Sequence, residues 1–301
     1  MKFPVKQFDV PVSGGSLRVG GWGRAGPGVD RSGAARLTVL ALHGITATHM
    51  AWVEVAERLP DAALLAPDLR GRGHSRQLPG PYGMAAHVAD IVGLLDAVGW
   101  EQVVVVGHSM GGFVAVALAA GHPDRVSGLV LVDGGLPTGQ PGDVVEVGAL
   151  DAVLGPAAAR LAMTFPTPES YRDFWRQHPA VGPIWGPAVQ AYVDYDLVGE
   201  PPELRPSCRE PAMRTDGAEI ADHATTTAAL GRVTAPITFL RAERGLLDGD
   251  PFYPEDTVAR WSDGGAVVTA RTVPDTNHYS LVLGAPGARA VADAITSVVS
   301  Q

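Results

Sequence analysis

Residues 103–120 read VVVVGHSMGGFVAVALAA: four consecutive valines, a turn made of Gly107, His108, Ser109, Met110 and Gly111, then mostly small apolar residues. The valine run suits a strand buried on both faces, and the run after the turn suits a helix packed closely against it. Gly-x-Ser-x-Gly falls where the chain must turn sharply from strand to helix. Its glycines permit a strained turn and close strand–helix approach, which projects Ser109 above the sheet edge. A serine at this junction has two readings. It caps the helix, its oxygen satisfying a free N–H of the first turn, or it is a nucleophile. A nucleophile needs a base, a group that orients the base, and N–H donors for an oxyanion, so the second reading predicts parts that must be found elsewhere.

Working outward, the same apolar texture recurs at LTVLALHG (37–44), AALLAPD (62–68), QVVVVGHS (102–109), SGLVLVD (127–133), APITFLRAE (235–243) and AVVTARTV (266–273). Before these, VKQFDVPV (5–12) and SLRVGGW (16–22) alternate around Ser13, Gly14 and Gly15, which reads as a hairpin. Helix-like segments separate the runs at 48–59, 83–99 and 110–121; in the second, Met84, Val88, Ile91, Leu94, Leu95 and Val98 share one stripe. Strand and helix in alternation imply right-handed crossovers and an α/β fold: a mostly parallel, doubly wound, eight-stranded sheet. The alternation lapses between the sixth and seventh strands. There 148–165, 168–178 and 186–198 read as short amphipathic helices among frequent prolines. This predicts a core domain from 1–134 and 235–301, with a helical cap inserted at 135–234, then a helix near 254–261 and a last one at 286–300.

The 301 residues, 46% of them apolar, suffice for one large core. A net charge of −9 without any basic run argues against nucleic acid as a partner. The single cysteine, Cys208, cannot form a disulfide within the chain and takes a structural role by default. MKFPVKQFDVPVSGG lacks the apolar core of a secretory signal, and no segment holds about 18 uninterrupted apolar residues. The expectation is a soluble cytoplasmic protein with no membrane contact.

A base is sought late in the chain, and VPDTNHYSLV offers His278 just past the last expected strand, at the carboxyl end of the sheet where catalytic loops gather. His43 and His74 lie in glycine-bearing loops, His108 is inside the Ser109 turn, and His49, His87, His122, His178 and His223 fit helix surfaces or caps. In LHGITAT a strand opens into Gly44; the backbone N–H groups of Ile45 and of Met110 are the candidate oxyanion donors.

Together, LHG after the third strand, APDLRGRGHS (66–75) after the fourth, GHSMGG after the fifth and NHYS near the end resemble the α/β-hydrolase fold family, in its capped form. The resemblance spans most of the core and stops at the cap. It implies hydrolysis through a covalent acyl-enzyme, with no metal or organic cofactor, and makes Arg70 and Arg72 braces of a structural loop. The commonest family pattern places the acid shortly after the seventh strand, in wording like Gly-x-x-Asp. Here RAERGLLDGD puts Gly245 at that position, with Glu243, Asp248 and Asp250 nearby. Haloalkane dehalogenases and zearalenone-type lactonases carry the acid at the end of strand six instead, which is Asp133 here. Asp133 is the preferred acid and Asp248 the alternative, with Glu243 behind them.

Most cap aromatics (Phe165, Tyr171, Phe174, Trp175, Trp185, Tyr192, Tyr195) read as packing, with Trp175 or Trp185 as candidates to line a substrate pocket. The expected reaction is serine hydrolysis of a carboxylic ester or lactone of a small hydrophobic molecule. A serine nucleophile disfavours epoxide hydrolase and haloalkane dehalogenase chemistry, which uses a carboxylate. Carbon–carbon bond hydrolysis and thioester hydrolysis are the alternatives on the same fold. A non-catalytic ligand-binding protein is the alternative of another class.

Overall fold

The computed structural model describes residues 5–23, 25, 37–140, 143, 159–262 and 268–298. Strands β1 (Lys6–Val12) and β2 (Gly15–Trp22) form the expected hairpin. They join β3 (Thr38–Leu42), β4 (Ala63–Pro67), β5 (Val103–His108), β6 (Val126–Val132), β7 (Ile237–Arg244) and β8 (Val268–Asn277) in one eight-stranded sheet, ordered β1-β2-β4-β3-β5-β6-β7-β8. Only the β1/β2 and β2/β4 pairings are antiparallel.

The valine run explains why the middle of this sheet has no wet face. Successive side chains of a strand point to opposite faces. Val104 and Val106 join Val39, Ala41, Val130 and Val132 in one buried cluster, while Val103 and Val105 join Leu40, Leu42, Leu129 and Leu131 in the other. Helices cover both faces. A short α1 (Val53–Ala56) and the last helix contribute to the first cluster, and α2 (Met84–Val98) and α3 (Met110–Gly121) to the second. The chain goes from β3 outward to β4, then returns past β3 to β5. The carboxyl ends of β3 and β5 therefore flank the crevice where strand order reverses, the place where open α/β sheets bind ligands.

Between β6 and β7 the described residues include α4 (Pro168–Arg176), α5 (Pro187–Tyr195), α6 (Glu210–Ala221) and α7 (His223–Leu230). The expected helix at 148–165 lies largely outside the described residues. Sequence reading misses α6 and α7. HATTTAAL has no apolar stripe, and its signal is a cap: the Asp222 carboxylate accepts the Thr225 N–H at 3.1 Å. The segment 48–59 is not one helix but a 3-10 turn, His49–Trp52, followed by α1. Its start is tethered, because Asp68 Oδ1 accepts both the backbone N–H (2.9 Å) and Nδ1–H (2.8 Å) of His49. After α8 (Glu255–Ser262), β8 runs four residues beyond its expected end through an irregularity between Val273 and Asn277, where Pro274 has no N–H to give. That extension delivers His278 to the end of the sheet, and α9 (Ser280–Leu283) and α10 (Ala285–Val298) close the chain. Among the described residues, no helix is long and apolar enough to cross a membrane.

The core also carries a pH dependence. His43 is buried, and its Nε2 accepts the Leu69 N–H at 2.9 Å. Burial pushes the ring down from 6.5 to about 3. The unfolded chain therefore takes up a proton that the folded chain refuses. This share of stability is whole above pH 6.5 and is lost as pH falls toward 3, by up to about 1.4 kcal/mol per pH unit. Urea midpoints should be lower at pH 5 than at pH 7.5, and less so in His43→Gln; equal midpoints would contradict the assignment.

Candidate active site

Ser109 sits between β5 and α3 with φ 54° and ψ −122°, a conformation that non-glycine residues rarely adopt. Its side chain makes no capping bond to α3, so capping is not what the position does. The turn holds because the neighbouring backbones come too close for any side chain. A Cβ on Gly107 would stand 2.3 Å from the Gly111 carbonyl oxygen, and one on Gly111 would stand 2.0 Å from that of Leu42. The Ser109 N–H donates to the Val132 carbonyl at 3.0 Å, tying the turn to the end of β6.

Register then decides which carboxylate faces the histidine. His108 pairs with Val132, and Val132 with Leu240, so Ser109 and Asp133 each lie one residue past a shared row. Asp133 is fully buried and, like Ser109, has a positive φ, 46°. Its Oδ1 accepts the Ala242 N–H at 3.0 Å from β7, and its Oδ2 lies 2.7 Å from His278 Nδ1. An acceptor-only carboxylate on Nδ1 fixes the tautomer and leaves Nε2 as the free base position. Ser109 and His278 line one cavity.

Asp248 is placed elsewhere. It pairs with Arg244 (2.8 Å) and accepts from Asn277 Nδ2 (2.8 Å), and these two partners hold its carboxyl below the usual range. It braces the loop before His278 rather than the imidazole itself. Glu243 is also occupied, accepting the Asp275 N–H at 2.8 Å.

On the other side of Ser109, Gly44 and Ile45 line the same cavity. Among the described residues, no acceptor is paired with the backbone N–H of Ile45 or Met110. Arg72 holds this corner: its Nε donates to the Ile45 carbonyl at 2.9 Å, and its Nη2 lies 3.6 Å from Met110 Sδ. Its own charge is met by buried Asp216 at 2.5 Å, as that of Arg70 is by Asp90 at 2.6 Å. Both arginines thus brace the turn as expected from their position. Cys208 is buried nearby, its Sγ 3.6 Å from the Ile45 carbonyl.

Neither tryptophan lines the cavity. Trp175 is buried behind it, under the Arg160 guanidinium at 4.9 Å, and Trp185 is half-buried with Arg176 over its ring at 4.9 Å. Both rings are held by cationic neighbours within the insertion, and Tyr192 on α5 supplies the aromatic wall instead, beside Tyr279. His49 and His87 also depart from their expected surface positions, being buried against Asp68 and Asp216. Sequence reading sets His108 aside. Its Nε2–H donates to the His278 carbonyl at 2.9 Å, and burial, aided by the neighbouring His278, drives its pKa well below the usual value. It is a neutral strut under the His278 loop, and no spacing in the sequence announces that role.

Comparison with known proteins agrees with the fold. A family model described as alpha/beta hydrolase fold matches residues 38–167. The solved structure of an E-2-(acetamidomethylene)succinate hydrolase superimposes with a TM-score of 0.78 at 22% identity, covering 99% of this chain and 100% of that one. The chain has the α/β-hydrolase fold. The enol-lactonase from Burkholderia xenovorans LB400 shares the fold (TM-score 0.67, 20% identity, 98% of this chain and 100% of that one). Among curated relatives, Lipase LipV of Mycobacterium tuberculosis is 47% identical over 102 residues, 34% of this chain and 38% of that protein. The chain spans about two fifths of the length of the first curated relatives it matches. In this α/β-hydrolase fold, the family match covers the elements that carry Gly44, Ser109 and Asp133.

Proposed function

We propose that the chain is a serine hydrolase that cleaves a carboxylic ester or lactone of a small hydrophobic molecule through an acyl-enzyme. The observation that carries this reading is the 2.7 Å contact of His278 Nδ1 with buried Asp133, next to a serine held at φ 54° in the same cavity. Ser109 Oγ attacks the carbonyl carbon while His278 Nε2 takes its proton. The tetrahedral oxyanion is held by the N–H groups of Ile45 and Met110. Collapse expels the alcohol oxygen, which takes the proton back from His278; water then enters by the same route and releases the acid. Asp133 keeps the imidazole oriented and balances its charge. The helices at 135–234 act as a cap over a core of 1–134 and 235–301. The names of Lipase LipV and the enol-lactonase support the ester and lactone classes.

The test is a panel of small esters, lactones, thioesters and activated ketones, each with the parent protein and Ser109→Ala. Ester or lactone turnover is expected from the parent only. Turnover confined to thioesters or ketones would overturn the substrate class.

A further inference from the structure

The cavity at Ser109 has a volume of about 40 Å³, room for roughly three waters. That is small for both halves of a hydrophobic ester. A second cavity, about 300 Å³, adjoins it, a size in the range of small-molecule sites at about 300–1,000 Å³. Leu283 lines both. Three elements run from one to the other. Tyr192 of α5 lines the first and Val189, one turn earlier, the second; Ala51 lines the first and Glu54 the second; Val282 lines the first and Gly284 the second. The two spaces therefore lie along one seam between α5 and the core, partitioned at Leu283.

Resting on the ester-hydrolase reading above, we infer that the larger cavity is the leaving-group subsite, taking the apolar chain of the alcohol while the small cavity takes a short acyl group. Direction comes from the walls. Ile45, Thr46 and Ala47, on the oxyanion side, line only the small cavity, as His278 itself does, whereas Thr276 and Ser280, two residues either side of His278, line only the large one. His278 is the group that protonates the leaving oxygen, so the alcohol departs along its flank.

Chemistry comes from what the walls offer. Ile184, Pro187, Val189, Leu283 and Pro286 present apolar surface. The polar groups have partners already: the Thr276 hydroxyl donates to the Val273 carbonyl (2.7 Å), the Ser280 hydroxyl accepts the Asn277 N–H (2.7 Å), and Glu54 pairs with Arg58 (2.7 Å). An alkyl chain can enter without stripping a hydrogen bond from any of them. Among the described residues no Lys, Arg or His lines this space, and Asp275 stands exposed at its rim, so an anionic alcohol is disfavoured.

The experiment measures kcat/KM for ethyl, butyl and octyl acetate, and for ethyl acetate, butanoate and octanoate, with the parent protein and with Ile184→Trp and Ala285→Trp. Both substitutions place an indole in the large cavity, the second from the exposed start of α10. The parent should prefer octyl over ethyl acetate by at least about tenfold, the gain available from burying added methylenes, and should lose activity as the acyl chain lengthens. The octyl-to-ethyl acetate ratio, which does not depend on how much protein is folded, should fall by at least about tenfold in each variant. A parent indifferent to alcohol length, or variants that keep its preference, would overturn the assignment. Variants that lose a preference for long acyl chains instead would make the cavity an acyl subsite, against the proposal. Absence of ester hydrolysis in the parent would strike the hydrolase reading itself, which the Ser109 adduct described below tests separately.

Discussion

Asp133→Asn will lower kcat for an ester substrate by about 10⁴-fold with little change in fold. The buried carboxylate offers His278 Nδ1 an acceptor at 2.7 Å while its other oxygen is bound by the Ala242 N–H. An asparagine keeps that shape but has only one oxygen. If the oxygen stays on the Ala242 N–H, the amide NH₂ faces His278 Nδ1, which must then become an acceptor. The proton moves to Nε2, where the base is needed. Asp248→Asn loses an ion pair with Arg244 and leaves the His278–Asp133 contact in place, so kcat should stay close to that of the parent. A comparable loss in both variants would mean that Asp133 acts through the fold rather than on the imidazole.

The second large effect falls on the nucleophile and base. Ser109→Ala and His278→Ala should each lower kcat by about 10⁶-fold, and the double variant should be no worse than either. The two residues act as one unit, since a serine without its base and a base without its serine both leave only the oxyanion donors. Additive losses would show that they do not share a step.

Much of this arrangement was readable in the sequence because the parts sit where strands end. Ser109, Asp133 and His278 each follow a strand directly, and register alone carries Asp133 into place: His108, Val132 and Leu240 form one row across three parallel strands. The sequence prefers Asp133 to Asp248 but does not settle between them. The choice depends on Arg244 and Asn277 holding Asp248, contacts made through side chains that no spacing encodes. The cap was harder for the same reason. Its tryptophans look like pocket residues by type, yet Trp175 packs edge-on behind Tyr192 and Tyr279, Trp185 lies against Arg176, and Tyr192 takes the position through its phase on α5. Neither α6 nor α7 carries a periodic apolar face: α7 rests on the Asp222 cap, and α6, which has no side-chain cap, is tied to the start of α2 by its Asp216 and Glu219 carboxylates, which accept the Gly83 and Met84 N–H groups.

The most direct test of the account is intact-mass measurement after incubation with a small fluorophosphonate, followed by peptide mapping, on the parent protein and His278→Ala. One adduct on Ser109 in the parent, absent from a folded His278→Ala variant, is the predicted result. An adduct on another residue, or none on a folded parent that hydrolyses esters, would contradict Ser109 as the activated nucleophile.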